Sequence, residues 1–207
     1  MIWFLRRLKG TLSNMGSTEY NNLLNRIDEY LKASLKEKRY RHTLRVRDLA
    51  LEMAEKEGVD PQKAEVAALL HDMARNINEM ALKMYVSNLG LDERYAGNIN
   101  LAHGKIGREM ARMEFGIEDE DILNAISFHT TGRAGMSKLE KIIFLADAIE
   151  PGRTYPEVDN IRAKAKISLD EGCLASLSKT ITYVRSRNEY LDADTECAYK
   201  DIKEKLE

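Results

Sequence analysis

The chain has 207 residues, enough for one domain with a substantial core, and its 32 lysines and arginines nearly balance its 34 aspartates and glutamates, for a net charge of -2. This balance excludes the strong positive field that drives non-specific nucleic-acid binding, and no apolar run reaches membrane-spanning length, so we expect neither nucleic acid nor a membrane as partner. Cys173 and Cys197 lack the spacing of a thiolate zinc motif and fit a reducing, cytoplasmic location.

The two ends of the chain differ in composition from the middle. Residues 1–5 are apolar but too few for the core of a signal peptide, and Arg6 and Arg7 follow them where a signal peptide would place its basic residues first. We expect residues 1–20 to form a loosely ordered extension, with an amphipathic membrane anchor as the alternative. The charged residues 196–207 are expected to form a tail, which leaves 21–195 as the domain.

Helical periodicity dominates from residue 20 onward. Apolar residues at helical spacing predict helices over 20–35 and 41–57. His42 lies on the apolar stripe of the second helix, so its side chain is expected to point inward. The basic residues between 36 and 47, which include Arg39, form either a solvated helix face or a surface that meets phosphate.

The stretch 67–75 is the most informative part of the chain. Asp60 and Pro61 are a good N-cap and first residue for a helix, and the apolar residues that follow predict a buried helix through this stretch. His71 and Asp72 then stand side by side in a buried segment. A carboxylate and an imidazole in such a place must be paired, hydrogen-bonded or bound to a metal.

Two later helices carry the remaining histidines. One starts with Asn100 as its N-cap and holds His103, and the other ends at His129. Two glycines follow His103 within its helix, and each costs about 1 kcal/mol relative to alanine. That cost suggests the close approach of another backbone or of a ligand near His103.

The most apolar helix begins at a capping box, Ser137 with Glu140, and contains Asp147. An unpaired carboxylate is costly there, so Asp147 is a second candidate for a functional acid. Pro151 breaks the helix, and the tight connection after it presents Arg153. The other predicted helices cover 78–89, 161–169 and 173–190, which makes the predicted fold class all-α, a single helical bundle.

All four histidines, His42, His71, His103 and His129, fall on or at the end of inward-facing helical stripes. A lone inward histidine is more often a satisfied core residue than a ligand. Four of four, with two buried aspartates, favour a metal site between helices of a bundle. Imidazole and carboxylate without thiolate suit Fe, Mn or Zn in an open, catalytic site, and the mixture favours Fe or Mn over structural zinc.

The order His42, His71-Asp72, Asp147 reproduces the H…HD…D signature of the HD superfamily of metal-dependent phosphohydrolases. A closer likeness is carried by residues 39–44, 69–75, 102–104, 129–132 and 146–153. Over 21–195 the chain resembles the bacterial YqeK family, symmetrical diadenosine tetraphosphate (Ap4A) hydrolases that cut Ap4A into two ADP. The resemblance implies an HD-domain helical bundle, and a nucleotide substrate with ADP as product.

The resemblance also implies a site. The implied metal ligands are His42, His71, Asp72 and Asp147, holding iron, with Mn or Zn as alternatives. His103 and His129 would either complete a second metal position or contact phosphate, so one or two ions are expected. The implied catalytic residues are Asp72, which could orient the attacking water, His103 and Arg153. The implied substrate-binding residues are Arg39, Arg75, His103, Lys105, His129, Thr130, Thr131, Arg153 and Tyr155, and each basic residue among them has ordinary surface charge as its alternative role.

Three alternatives stay open. The first is an HD enzyme that acts on (p)ppGpp, a deoxynucleotide or a cyclic dinucleotide. The second is a metal-dependent nucleotide-binding regulator that keeps the metal ligands but turns over slowly. The third is an inert helical domain whose histidines are core residues. Chelation distinguishes the last, because only a bound metal stabilises the fold by mass action. Exposed apolar residues in 183–191 also allow a homodimer.

Overall fold

The computed structural model of the protein describes residues 15–207. Across that range the chain is all-α as predicted, with ten α-helices, one short 3₁₀ helix at Glu93–Gly97 and no strand. The helices are α1 Ser17–Ser34, α2 Glu37–Glu57, α3 Pro61–Leu70, α4 Glu79–Asn88, α5 Ile99–Phe115, α6 Glu120–Phe128, α7 Lys138–Ile149, α8 Val158–Ile167, α9 Leu169–Ser186 and α10 Ala193–Leu206. Among the described residues, no helix has the length and apolarity needed to cross a membrane.

Helix α7 is the centre of the bundle. It packs against α2, α3, α6, α8 and α9. Its apolar residues Ile142, Ile143, Leu145 and Ala146 are fully buried. Helix α3 also packs against both α2 and α6, so side chains from these three helices and α7 can converge on a common point.

Two predicted helix starts are confirmed. Asp60 caps α3 by accepting a hydrogen bond from the backbone nitrogen of Gln62, with Pro61 as the first helical residue. Ser137 and Glu140 form the capping box of α7, in which each side chain accepts from the backbone nitrogen of the other. Both caps satisfy backbone donors within three residues, which explains why local sequence predicts them.

The predicted continuation of the α3 helix through Arg75 is wrong. The helix ends at Leu70, and residues 71–76 form tight turns in which Met73 donates to the carbonyl of Leu70 and Arg75 to that of Asp72. Consecutive residues of an α-helix point about 100° apart, so a continued helix would send two neighbouring side chains in different directions. The turns instead bring His71 and Asp72 to one site.

Asn100 is not the N-cap of its helix. Helix α5 starts two residues earlier than predicted, with Asn98 at the cap position, which places Asn100 inside the first turn. There its side chain accepts a hydrogen bond from Arg75 at 2.6 Å. A cap is identified by short-range pattern alone, whereas this contact depends on how the turns after α3 pack against α5.

The two ends of the chain also differ from expectation. Helix α1 starts at Ser17, and Tyr20, which we placed in the extension, is buried and donates its hydroxyl hydrogen to Glu65. The rest of the predicted extension, residues 1–14, lies outside the described residues. The expected charged tail is helical and begins earlier, as α10, because Ala198 and Ile202 form an apolar face that is buried against α9. The domain limits at 21 and 195 stay a prediction.

Helices α8 and α9 divide at a different residue from the one predicted. Ser168 ends α8 and caps α9 by accepting from the nitrogen of Glu171, so α9 starts at Leu169. It ends at Ser186 and not at Tyr190, since Asn188 has a positive φ of 52° that is incompatible with a continued helix.

The two glycines after His103 have different surroundings. A Cβ on Gly104 would lie 2.7 Å from the carbonyl oxygen of Ser127, whereas a Cβ on Gly107 would find its nearest atom, on Ile126, at 3.4 Å. The close backbone approach predicted from the sequence therefore occurs at Gly104, where α5 crosses α6.

We expect Gly104→Ala and Gly107→Ala to change stability in opposite directions. Alanine gains about 1 kcal/mol of helix propensity at either position, but at 104 the overpacking against α6 costs about 1–3 kcal/mol. Urea denaturation of the two variants measures the difference. Equal stability of the two variants would contradict the close approach at Gly104.

Candidate metal centre

Four histidine rings meet at one end of the bundle. His42 comes from the second turn of α2, His71 from the turn after α3, His103 from the start of α5 and His129 from the end of α6. Each is at most 5% exposed. Neighbouring ring centroids lie 5.6 Å apart for His42 and His71, 4.9 Å for His71 and His129, and 4.7 Å for His103 and His129. The structure thus brings together side chains that span 88 positions of the sequence.

The Nδ1 atom of each ring faces an acceptor. Three rings use a backbone carbonyl oxygen three or four residues earlier: His71 with Ala68 at 2.6 Å, His103 with Ile99 at 2.8 Å and His129 with Ile126 at 2.7 Å. His42 uses the carboxylate of Glu150 at 3.0 Å. A carbonyl oxygen can only accept, so Nδ1 carries the hydrogen and Nε2 of a neutral ring keeps its lone pair. This is the arrangement in which protein histidines bind metals.

Asp72 lies among all four Nε2 atoms. Its Oδ1 is 3.1 Å from His103 and 3.9 Å from His129, and its Oδ2 is 3.3 Å from His71 and 3.8 Å from His42. The carboxylate is therefore placed to contact an ion on either side of it. Its position follows from the tight turn that directly succeeds α3.

Asp147 reaches the same point from α7. Its Oδ1 lies 2.9 Å from Nε2 of His42 and 3.9 Å from Nε2 of His71. Asp147 comes ten residues after Ser137, the cap of α7 that the sequence predicts, but its neighbours on α2 and after α3 come from packing.

The donor set fits a divalent metal ion. The Nε2 atoms of His42 and His71 are buried and make no hydrogen bond of acceptable geometry, although carboxylate oxygens lie nearby. Buried polar atoms without a partner are rare and costly, and a cation held between these nitrogens and carboxylates removes that cost. Two groups of three residues each bring their ligand atoms within 4.8 Å of one another. One group is His42, His71 and Asp147, and the other is His71, Asp72 and His129, so His71 belongs to both.

The charges of the centre are those a metal requires. Burial alone would raise the pKa of Asp72, but His71 and His103 hold it well below its usual range. Burial also opposes ionisation of Asp147, and His42, His71 and Arg153 outweigh it and lower the pKa. Burial lowers the pKa of His129 to about 3, with the neighbouring histidines acting in the same direction. At neutral pH both carboxylates are therefore ionised and His129 is neutral, so its Nε2, which faces Nε2 of His103 at 2.9 Å, can offer a lone pair to a cation.

Glu150 is a functional residue that our sequence analysis missed. Its buried carboxylate accepts from Nδ1 of His42, from Arg45 at 2.5 and 3.2 Å, and from the backbone nitrogen of Gly152. Burial raises its pKa, but Arg45 and His42 outweigh that and lower it to about 2. Glu150 therefore holds the ring of His42 from the side opposite the metal position. The available signal was an acidic residue between Asp147, in the most apolar helix, and a helix-breaking proline.

Each central aspartate also accepts from one arginine. Nη1 of Arg39 donates to Oδ2 of Asp72 at 2.8 Å, and Nη2 of Arg153 donates to Oδ1 of Asp147 at 2.5 Å. Arg153 also donates through Nε to the backbone carbonyl of Asp147 at 2.8 Å. The two predicted basic residues thus contact the two candidate metal-binding aspartates directly.

A basic cavity of about 520 Å³ opens over the centre. Its lining includes Arg75, the ring of Tyr155 and the ligand His42. The six basic side chains that line it are Lys36, Lys38, Arg39, Arg45, Arg75 and Arg153. So many cations around one cavity are expected where a polyanion binds.

Five predicted substrate-binding residues are not among those that line this cavity: His103, Lys105, His129, Thr130 and Thr131. Lys105 pairs with Asp194 of α10 at 3.0 Å and lies over the ring of Phe128, and Thr131 is buried and donates its hydroxyl hydrogen to the carbonyl of Gly132. This pairing of Lys105 depends on α10, a helix that our sequence analysis did not predict. Thr130 lies beside the histidines, with Oγ1 3.2 Å from Nε2 of His129.

Comparison with known proteins places this geometry in a family. The HD domain model matches residues 39–152. Symmetrical bis(5'-nucleosyl)-tetraphosphatases from Halalkalibacterium halodurans and Bacillus subtilis are 44% and 38% identical, over 84% and 82% of this chain and 94% and 91% of their own lengths. A crystal structure of a predicted HD superfamily hydrolase involved in NAD metabolism from Clostridium acetobutylicum superimposes with a TM-score of 0.84 at 40% identity, covering 88% of this chain and 97% of that one.

We expect Glu150→Gln to weaken metal binding by about 10- to 100-fold without unfolding the protein, since loss of a carboxylate that supports a histidine ligand has effects of that size. Competition with a chromogenic chelator measures the affinity. Glu140→Gln is the matched control, because Glu140 is an equally buried glutamate at the other end of α7, paired with Arg133. Equal metal affinity of the two variants would contradict the role of Glu150 in supporting His42 as a metal ligand.

Proposed function

Because the chain belongs to the HD-domain family, and within it to the YqeK-type phosphohydrolases, we propose that it is a metal-dependent hydrolase that cuts Ap4A symmetrically into two ADP. The observation that carries this proposal is a histidine and aspartate centre at the floor of a cavity lined by six basic side chains. The centre suits phosphoanhydride hydrolysis and the cavity suits a polyphosphate. The relatives named as tetraphosphatases favour Ap4A over other nucleotides.

We propose His42, His71, Asp72 and Asp147 as the metal ligands, with His103 and His129 at a second position. Iron is our proposed metal and Mn and Zn are the alternatives, since the ligand types suit all three. A divalent ion in this site supplies Lewis acidity, which lowers the pKa of water and polarises a phosphoryl oxygen. The ionised aspartates and the neutral His129 of the apoprotein already have the protonation states that such binding needs.

The protein's own groups then position the reactants. The carboxylate of Asp72 is ionised and buried, so it can accept a hydrogen bond from the attacking water and hold its orientation. Where only one ion binds, His103 is not a ligand, and its Nε2, 3.1 Å from that carboxylate, can carry a proton that passes between them. The guanidinium groups of Arg39 and Arg153 can donate hydrogen bonds to the phosphates on the two sides of the scissile bond.

The layout of the cavity supports cleavage at the centre of a symmetrical substrate. One set of lining cations comes from the start of α2, at Lys36, Lys38 and Arg39, and another lining segment, 152–155, follows α7. Arg39 contacts one central aspartate and Arg153 the other. A tetraphosphate lying across the centre therefore meets cations on both sides, and each half leaves as ADP.

The remaining features of the proposal concern the setting of the protein. We propose a small-molecule nucleotide as substrate, no nucleic-acid or membrane partner, and a cytoplasmic location, which suits the free cysteines. A homodimer through exposed residues of 183–191 stays an expectation, supported by the exposure of Tyr183 and Tyr190.

Product analysis tests the function directly. We expect the purified protein with Fe²⁺ or Mn²⁺ to convert Ap4A to ADP alone, because cleavage at the central anhydride leaves two phosphates on each side. Chromatography that resolves ADP, AMP and ATP measures the outcome. AMP with ATP would contradict symmetrical cleavage, and turnover unaffected by chelation would contradict the metal.

Asp72→Ala and Asp147→Ala extend the product analysis to the site. Each removes one charged ligand, so bound metal and ADP production should disappear together, while the far-ultraviolet circular dichroism stays helical. Metal content and turnover are measured on the same samples. Full activity in either variant would refute the assigned ligands.

Arg153→Ala should retain metal but hydrolyse Ap4A with kcat/KM lowered by about 10-fold or more, because it removes a cation that touches the phosphates and leaves the ligand atoms in place. Arg108→Ala is the matched control, since Arg108 also forms an ion pair, with Glu120, but lies outside the cavity. Unchanged kinetics for Arg153→Ala would return Arg153 to the role of a surface charge.

A further inference from the structure

A row of alternating rings and cations leads out of the basic cavity along α9. Lys179, Tyr183 and Arg187 follow one another at four-residue spacing and so share one face of that helix and its end. Nζ of Lys179 lies 4.2 Å from the ring centroid of Tyr155 and 5.3 Å from that of Tyr183. The guanidinium carbon of Arg187 lies 5.7 Å from the Tyr183 centroid. We call these four residues, 155, 179, 183 and 187, the aromatic ladder.

The inner end of the ladder belongs to the cavity wall. Tyr155 lines the cavity beside Arg153, and its hydroxyl donates to the backbone carbonyl of Ala148 at 2.8 Å, which holds the ring in place. The outer end is open, since Tyr183 is 50% exposed. Large aromatic side chains on a surface are costly to leave in water, and an exposed ring that continues a polyanion site offers a surface for a flat partner.

Lys179 adds a cation at the point where the two rings meet. In the part of the chain that the structure describes, it forms no ion pair, and Glu157 attracts it only from beyond ion-pair distance. Its charge is therefore available to a ligand that also contacts the rings. A flat aromatic group attached to phosphate combines both requirements.

We propose that the aromatic ladder binds one nucleoside of the substrate, with the base stacked on Tyr183 and the phosphate nearest the ribose held by Lys179. This inference rests on the proposed function for its substrate and adds where one base binds. Bases stack on aromatic and guanidinium planes in many nucleotide sites, and the contact tolerates different bases because each has a π face. We therefore expect a nucleoside polyphosphate with little preference among purines.

The ladder makes the two halves of a symmetrical substrate unequal. On the opposite side, the cavity is lined by Lys36, Lys38 and Arg39, and within the described residues no tyrosine, phenylalanine or tryptophan lines it there. One half is therefore held by stacking and charge, and the other by charge alone. A substrate with a single nucleoside and a tetraphosphate chain should accordingly bind with its base on the ladder.

The test measures binding of two probes, ADP and pyrophosphate, to the metal-loaded full chain by isothermal titration calorimetry. We expect Tyr183→Ala to weaken ADP about tenfold, as removal of one stacking ring does, and to leave pyrophosphate unchanged. Tyr183→Phe keeps the ring and should bind both probes as the wild type does. Tyr190→Ala is the matched control, because Tyr190 is 44% exposed and carries the guanidinium of Arg94 over its ring, away from the cavity.

Each outcome decides the inference. Equal ADP affinity in Tyr183→Ala and the wild type overturns it, as does an equal loss of pyrophosphate affinity, which would mean a general disturbance of the site. Dissociation of a dimer by Tyr183→Ala, seen by light scattering, would assign the ring to a subunit interface and also overturn it. ADP binding is measured independently of turnover. Selective loss of ADP affinity in Tyr183→Ala therefore supports the aromatic ladder even if Ap4A is not cleaved. Cleavage of Ap4A with unchanged ADP affinity in that variant supports the proposed function alone.

Discussion

The structure depends on holding two ionised carboxylates and four imidazoles in one buried space. Isolated carboxylates are among the most costly groups to bury, and Asp72 and Asp147 remain ionised only because histidines and arginines surround them. The helices around α7 contribute these groups from separate parts of the chain. The charges at the centre are therefore balanced only when the helices pack together. A cation bound there strengthens the same balance by joining groups that would otherwise be buried without partners.

Two of the candidate metal-binding histidines are oriented by the helix ends at which they lie. The last carbonyls of an α-helix have no partner within the helix, and two histidines satisfy such groups: His71 bonds to Ala68 at the end of α3 and His129 to Ile126 at the end of α6. The same bonds fix the hydrogen on Nδ1 and turn Nε2 toward the centre. Each of these residues therefore terminates its own helix and prepares a metal ligand with one hydrogen bond. His42 takes the carboxylate of Glu150 as its partner instead of a backbone carbonyl.

Charge in the cavity is arranged in two layers. The inner layer consists of Arg39 and Arg153, which contact the central aspartates, and of Arg45, which holds Glu150. The outer layer is made of lysines at the start of α2, with Arg75 held at the side by Asn100. The inner arginines contact the candidate metal ligands directly, so under the proposed function a phosphate at the metal would lie beside them. The chemistry of the centre and the selection of a polyphosphate are therefore coupled by a few side chains.

Residue types and short-range spacing were enough to predict the helical fold class, the caps at Asp60 and Ser137, and a group of inward-facing histidines and aspartates that a hydrophobic core does not require. Each of these follows from residue type or from spacing within one or two turns, where local hydrogen bonding and burial decide the outcome. The end of α3 at Leu70, the contact of Glu150 with His42 across 108 positions and the ion pair of Lys105 with Asp194 of α10 were known only from the tertiary structure. Those results depend on which helices pack together, and contacts between distant segments leave no periodic signal in the sequence of either one.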